Sequence, residues 1–202
     1  MRRRRAAERT LVLAAGLLLL SARGHAADRQ IRPFVGATFG GGTTFVDPED
    51  ASGKLNPALG VGAVFLGELF GAEIDVFEAP GFFESGDRAL VRSSRVTAFT
   101  GNVIVAAPHR ATEYTLRPYL VGGGGLMRVR TTTAFNVFDV ATVIPAVDVG
   151  VGAVAFVTNR VGVSWELRRF QSVGANPVGS GLSFGEQHLS FWRAAMAAVI
   201  RY

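Results

Sequence analysis

The chain has 202 residues and no cysteine, and its formal net charge is +5. Six of the 21 basic residues and one of the 16 acidic residues lie in the first 27 positions, so residues 28–202 carry no net charge. This balance argues against a nucleic-acid-binding protein, and the absence of cysteine excludes disulfides and thiolate chemistry.

The first 27 residues have the layout of a secretory signal segment. Arginines at positions 2–5 and 9 form a basic region, and the apolar run 11–20 follows it. Small residues then allow cleavage after Ala26 or Ala27. A membrane-spanning helix needs about 18 or more apolar residues, and this run is much shorter. We therefore expect residues 1–27 to be removed on export.

Beyond this segment, the sequence divides into eight stretches in which apolar residues recur at every second position. Such alternation gives a β-strand one apolar face and one polar face. Long and short connections alternate between the stretches, with one of intermediate length at 106–115. No later stretch could form a transmembrane helix, so residence in a membrane would require strands. The predicted strands are 32–40, 56–66, 69–78, 94–105, 116–128, 144–157, 161–170 and 189–202.

The last stretch, 189–202, shows this alternation clearly. Trp192, Ile200 and Tyr202 belong to a face without charge, whereas Arg193 and Arg201 belong to the opposite face. A transmembrane β-strand needs about 9–11 residues with this alternation, and aromatic residues are enriched where it meets the two membrane surfaces. The stretch therefore predicts a membrane-spanning strand.

Charged residues within the stretches indicate which face points inward. An arginine or lysine that faces lipid at the bilayer midplane costs about 2–4 kcal/mol, so the charged faces must line the barrel interior. Two interpretations remain open: a conduction path or proton relay, and a plug of salt bridges. We favour the plug because eight strands leave an interior just wide enough for side chains. The predicted lumen residues are Glu73, Asp75, Asn102, Asp148, Glu166, Arg168 and Arg193.

Four consecutive glycines, 122–125, occupy the fifth stretch. In a small barrel, glycine relieves crowding in the lumen and lets a strand curve. A phosphate-binding glycine loop would need a following helix and a lysine or acidic partner, which this stretch does not offer. We therefore interpret the run as a packing feature of a strand.

Several stretches resemble the small outer-membrane β-barrel proteins of the OmpA and OmpX type. The resemblance rests on RPYLVGGGGL at 117–126, on 145–170 with its turn at 158–160, and on the last strand at 191–202. It implies an all-β, eight-stranded antiparallel up-and-down transmembrane β-barrel with long extracellular loops and short periplasmic turns. It also implies that the barrel-assembly machinery reads Trp192, Ile200 and Tyr202 as an insertion signal. No peptidoglycan-binding domain is expected after the barrel.

Two other functions fit parts of the sequence. His188 and Ser190 share a strand face, which resembles the lipid A deacylases of this architecture, but catalysis also needs an acid and an oxyanion site, and Glu186 lies in a loop. A soluble lipocalin-like barrel would reverse the two faces, and the aromatic C-terminus and sparse strand charge argue against it. His109 and His188 show no metal-ligand spacing.

These observations predict a cleaved signal peptide at 1–27 and a single outer-membrane barrel at 28–202. The expected role is non-enzymatic, either structural or in surface interaction through four extracellular loops, without cofactor or metal. The expected partners are outer-membrane lipids and lipopolysaccharide, together with the assembly machinery during insertion. The protein is expected to be a monomer in the bacterial outer membrane.

Overall fold

The computed structural model describes residues 28–43, 55–82, 91–108, 112, 116–133, 139–173 and 189–202. The predicted signal segment and most residues of the predicted long loops lie outside these ranges. Within the described ranges, no helix is long and apolar enough to cross a membrane.

Eight antiparallel strands form a closed barrel, in which each strand pairs with its neighbours in sequence and β8 pairs with β1. This arrangement confirms the predicted all-β, up-and-down fold. Closure leaves no sheet edge, so the strand backbones satisfy their hydrogen bonds within the wall, as a bilayer requires. The strands are β1 (Asp28–Thr43), β2 (Asn56–Leu66), β3 (Phe70–Pro80), β4 (Val91–Ala106), β5 (Leu116–Thr133), β6 (Asp139–Phe156), β7 (Val161–Ser172) and β8 (Leu189–Arg201).

Several strands extend further than predicted, chiefly toward the long connections. β5 and β6 stay paired as far as Thr132 and Asp139, so the prediction of a loop at 129–143 was wrong for most of its length. The predicted start of β1 at Arg32 was also wrong, because Asp28 already pairs with Leu66. Near the strand ends, apolar and polar residues no longer alternate, whereas backbone pairing continues. Alternation therefore underestimates strand length.

The two shortest connections lie at the end of the barrel that carries both described chain ends, together with the intermediate one between β4 and β5. In the β6–β7 connection, the Thr158 hydroxyl accepts a hydrogen bond from Val161 N over 3.0 Å. Arg117 on β5 donates to the backbone carbonyls of Gly67 and Ala107, at 2.8 Å each. One buried guanidinium thus ties the β2–β3 and β4–β5 connections together.

The outward faces of the strands form an apolar belt. Leu120 on β5 is 59% exposed and Val149 on β6 is 63% exposed. A chain folded in water rarely leaves so large a continuous apolar surface uncovered, and a belt of this kind marks contact with lipid. Other exposed apolar residues of the belt are Val35, Leu59, Phe65, Ile74, Phe99, Val103, Leu126, Val151, Trp165, Met196 and Ile200.

The inward faces pack into two apolar clusters at different heights. The first, here called the aromatic cluster, lies toward the long connections and contains Phe34, Phe77, Phe82, Phe170 and Phe191 with smaller apolar residues. The second, the terminal cluster, lies toward the chain ends. Charged residues occupy the space between the two clusters. The members of the terminal cluster are Val64, Leu66, Ile104, Ala106, Tyr119, Val121, Val154 and Val199, with Phe156 packed against them.

Candidate functional site

Six charged side chains and one amide form a layer across the lumen between the aromatic and terminal clusters. Arg168 and Arg193 are 0% and 1% exposed and are among the largest fully buried side chains. Residues two apart on a strand share a face, so pairs on one strand enter the lumen together. The structure brings together all seven residues predicted to line the lumen. They are Glu73 and Asp75 on β3, Asn102 on β4, Asp148 on β6, Glu166 and Arg168 on β7, and Arg193 on β8.

Arg168 lies at the centre of this charged layer. Its guanidinium contacts the carboxylate of Glu73, which comes from the opposite side of the barrel. Its Nη1 lies 3.2 Å from Asp148 Oδ2, and its Nη2 lies 2.6 Å from Glu166 Oε2. Hydrogen bonds between ionised partners are stronger than neutral ones. Arg168 therefore links β7 both to the adjacent β6 and to β3 across the lumen.

Arg193 joins the charged layer to the aromatic cluster. Its Nη1 donates to Asp75 Oδ2 over 2.7 Å, and its Nη2 donates to Glu166 Oε1 over 3.0 Å. The same guanidinium lies 4.4 Å from the ring centroid of Phe34 and 4.6 Å from that of Phe77. Aromatic ring faces attract a cation, and this attraction grows where water is excluded. Carboxylates and rings together stabilise this buried charge.

Asn102 completes the layer as a neutral donor and acceptor. We assign its amide from its neighbours, with the oxygen accepting from Arg168 Nη1 over 2.7 Å and the nitrogen donating to Asp148 Oδ1 over 2.9 Å. The Thr100 hydroxyl lies 3.1 Å from the same amide oxygen. Asn102 therefore bridges an arginine and a carboxylate that also pair directly.

Three lumen residues that were not predicted extend the layer toward the chain ends. Arg32 Nη2 donates to Gln30 Oε1 over 2.6 Å, and Arg32 Nη1 donates to the Tyr119 hydroxyl over 3.3 Å. That hydroxyl donates in turn to Glu166 Oε2 over 3.1 Å. The alternation of β1 contained the signal for Arg32, which has the same parity as the buried Thr38.

Little space remains among these side chains. A cavity of about 20 Å³ lies beside the charged layer, and its lining includes Arg32, Glu73, Asp75 and Glu166. That volume has room for about one water molecule. In the described part of the chain, no three histidine, aspartate or glutamate side chains are arranged to hold a metal ion. The chemistry of the layer is ion pairing across the lumen.

Two residues of the predicted insertion signal, Trp192 and Ile200, lie on the outward face of β8, and Tyr202 directly follows the strand. Ile200 and Tyr202 are exposed, and Trp192 is half-buried. The guanidinium of Arg169 on β7 lies 5.4 Å from the Trp192 ring centroid. Trp192 lies toward the long connections and Tyr202 toward the turns, as interfacial aromatics of a membrane strand do. Their part in insertion stays a prediction.

The residues of the alternative catalytic arrangement are described only in part. Ser190 lies on β8, where its backbone pairs with Gln171 and Gly42. His188 and Glu186 lie outside the described residues, as does His109. The structure therefore leaves the predicted His188–Ser190 arrangement untested.

A closed eight-stranded barrel that is apolar outside and charged inside has the architecture of a bacterial outer-membrane β-barrel. The chain has this fold, which is that of proteins residing in the bacterial outer membrane. The fold confirms the resemblance drawn from the sequence.

Solved structures of the same architecture match the chain at low sequence identity. Neisserial surface protein A (NspA) matches with a TM-score of 0.63 and 10% identity, over 86% of this chain and 97% of that one. The outer membrane protein OprG from Pseudomonas aeruginosa matches with a TM-score of 0.52 and 13% identity, over 89% and 98%. Outer Membrane Protein W from E. coli matches with a TM-score of 0.50 and 15% identity, over 89% and 100%. No protein-family model and no curated protein matches the chain.

Proposed function

We propose that this protein is a non-enzymatic outer-membrane barrel with a closed lumen, whose role is structural or lies in surface interaction. The observation that carries this proposal is the charged layer itself. Arg168 and Arg193 both bind carboxylates on the far side of the barrel, and both are buried. A conducting lumen needs a continuous water path, whereas these pairs occupy the middle of the lumen.

The two apolar clusters support a closed lumen independently of the ion pairs. Phe170 and Phe191 stack with ring centroids 5.2 Å apart, and Phe82 lies 5.0 Å from Phe191 on its other side. An ion passing along the barrel axis would have to lose its hydration among these rings, which is costly in an apolar environment. The terminal cluster presents a second apolar barrier at the other end.

The proposed orientation follows from the connections. Bacterial outer-membrane barrels have short periplasmic turns and longer extracellular loops. The short connections at 67–69 and 157–160 would then face the periplasm together with the intermediate one at 107–115, and the four connections at the other end, 44–55, 81–90, 134–138 and 173–188, would face outward. Surface loops diverge readily and carry recognition in such proteins. We propose lipopolysaccharide and other surface components as partners of these loops.

Biogenesis follows from the same proposal. Residues 1–27 would be cleaved on export, and the barrel-assembly machinery would read Trp192, Ile200 and Tyr202 before insertion. The product would be a monomeric barrel of residues 28–202. N-terminal sequencing of the protein recovered from outer membranes would test the cleavage, and a product that retains residues 1–27 would contradict it.

Single-cysteine labelling tests the proposed orientation directly, because the chain has no cysteine of its own. Ser52→Cys, Ser85→Cys and Ser180→Cys place a thiol in three long connections, and Thr158→Cys places one in a short connection. A membrane-impermeant maleimide should label the first three variants on intact cells. The Thr158→Cys variant should be labelled only after the outer membrane is permeabilised. The reverse pattern would refute the orientation and, with it, a surface role for the long connections.

A further inference from the structure

On β4 and β5, three exposed arginines face outward at the end of the barrel nearest the long connections. Arg95 lies on β4, and Arg128 and Arg130 lie on β5; all three are exposed. They share the outward face with the apolar belt, so they point toward the surroundings of the barrel and not into its lumen. We call these three residues the outer arginine patch.

Strand register places the three arginines at neighbouring positions of the β4–β5 ladder. Arg95 pairs directly with Arg130 across the β4–β5 ladder, and Thr97 pairs with Arg128. Directly opposite residues have Cβ atoms about 4.5–5.5 Å apart, and like charges at such positions destabilise a sheet. The sequence therefore places positive charges where they repel each other.

Acidic neighbours neutralise only part of this charge. Arg95 Nε lies 3.0 Å from Glu78 Oε1 on β3, with both side chains about half exposed. Among the described side chains, Arg128 and Arg130 have no ion pair or hydrogen-bond partner. The backbone of Asp139 pairs with Thr132, two residues beyond Arg130. Within the described residues, two guanidinium groups of the patch are thus left to bind an external anion.

The height of the patch relative to the apolar belt identifies the kind of anion. Outward positions on β5 are uncharged from Leu116 to Leu126, and Arg128 is the next outward residue. Ten residues rising about 3.4 Å each along a strand tilted about 40° span about 26 Å of depth. That span matches the apolar band of an outer-membrane barrel, about 25 Å tall. Arg128 and Arg130 therefore lie at the level where lipid phosphates begin.

We propose that the outer arginine patch binds the phosphate groups of lipopolysaccharide in the outer leaflet. Guanidinium forks match phosphate oxygens in pairs, and a bound phosphate removes the repulsion between Arg95 and Arg130. Just below the patch, Phe99 and Leu126 are more than half exposed and would contact the acyl chains of the same lipid. This contact favours a lipid-borne phosphate over free phosphate. The proposal rests on the orientation proposed above.

Native mass spectrometry of the detergent-solubilised barrel, titrated with defined ligands, tests this proposal. The probes are diphosphoryl lipid A, the same acylated disaccharide without phosphates, and inorganic phosphate. The test variant is Arg128→Gln/Arg130→Gln. The matched control is Arg29→Gln/Arg160→Gln, which removes two exposed arginines at the opposite end of the barrel. Heat-dependent gel mobility establishes that each variant is folded.

We expect diphosphoryl lipid A to bind the unaltered barrel and the control, and to bind the test variant at least about tenfold more weakly. The phosphate-free lipid and inorganic phosphate should bind weakly to all three proteins. Equal affinity in the test variant, or an equal loss in the control, would overturn the proposal. Binding of inorganic phosphate as tight as that of lipid A would overturn the lipid source.

Arg130→Gln alone provides a second readout. It removes the repulsion with Arg95, so we expect the lipid-free barrel to become slightly more stable to urea while its lipid A affinity falls. A merely structural arginine would lower both quantities, and that result would contradict the proposal. Because these measurements are made in detergent, they do not depend on which end of the barrel faces the cell exterior. Failure of the cysteine-labelling experiment would thus be distinguishable from failure of this one.

Discussion

Arg193 on β8 donates a hydrogen bond to Asp75 on β3 over 2.7 Å, between residues 118 positions apart in the chain. β8 and β3 are not neighbours in the barrel, since β1 and β2 lie between them. The contact therefore spans the lumen and constrains its cross-section. Backbone pairing holds neighbouring strands together, whereas this ion pair holds opposite walls together.

Removing one partner of this pair should destabilise the barrel strongly. Arg193→Met leaves the buried Asp75 carboxylate with only the more distant Arg168 guanidinium, 4.0 Å away, at an expected cost of about 3–5 kcal/mol. In the double variant Arg193→Met/Asp75→Asn, this poorly paired carboxylate is gone. The combined loss should therefore fall short of the sum of the single losses by about 0.5–3 kcal/mol. Urea unfolding in lipid vesicles measures all three variants, and additive losses would show that the two residues are not coupled.

The aromatic cluster should contribute to stability through close packing. Phe191→Ala removes a fully buried ring between Phe82 and Phe170 and should cost about 3–5 kcal/mol in urea unfolding. Phe99→Ala is the matched control, because Phe99 is 54% exposed on the outward face and lipid can fill the space it leaves. Equal losses in the two variants would contradict a packed interior on this side of the charged layer.

Arginine introduced on the outward face should destabilise the barrel most where the barrel is embedded deepest in the membrane. Val149 lies midway along the outward positions of β6, so Val149→Arg should cost about 2–4 kcal/mol in unfolding from vesicles. Val105, near the end of β4 at the short connections, should accept arginine at a cost of about 0–1 kcal/mol. If both variants were equally stable, the apolar belt would not be embedded in lipid.

The glycine run should tolerate alanine on one face only. A Cβ at the inward-facing Gly123 would collide with the side-chain amide of Asn102 and the carbonyl oxygen of Gly101, whereas a Cβ at Gly122 would meet Asp148 O at an ordinary 3.5 Å. Gly123→Ala should therefore lose about 1–3 kcal/mol of stability, and Gly122→Ala should be close to neutral. Urea unfolding of the two variants compares them directly, and a neutral Gly123→Ala would show that the lumen is less crowded than described.

Much of the fold could be predicted from the alternation of apolar and polar residues. Each strand places one face against lipid and the other in a tight polar lumen, so the two faces must differ in polarity. Val149 and Asp148, neighbours in sequence, lie on opposite sides of the wall for this reason. The same rule placed Arg193 and Trp192 on opposite faces of β8. A strand shifted by one residue would turn its charged face toward lipid, so the sequence strongly constrains which face of each strand points inward.

The register between strands and the partners in the ion pairs could not be predicted from the sequence. Barrel closure brings Glu73 to Arg168 and Asp75 to Arg193, and neither pairing follows from spacing along one strand. The apposition of Arg95 and Arg130 likewise depends on the register of the β4–β5 ladder. Strand ends near the long connections were missed because backbone pairing there continues without an apolar face. These features depend on non-local geometry.

Ion conductance across planar lipid bilayers tests the closed lumen most directly. The protein is purified from outer membranes, inserted into bilayers in concentrated KCl, and recovered to verify its folded gel mobility. With the ion-paired layer between two apolar clusters, the conductance should not rise above that of protein-free bilayers. Steady unitary currents whose number grows with the amount of inserted protein would contradict a closed lumen and favour a conducting pore.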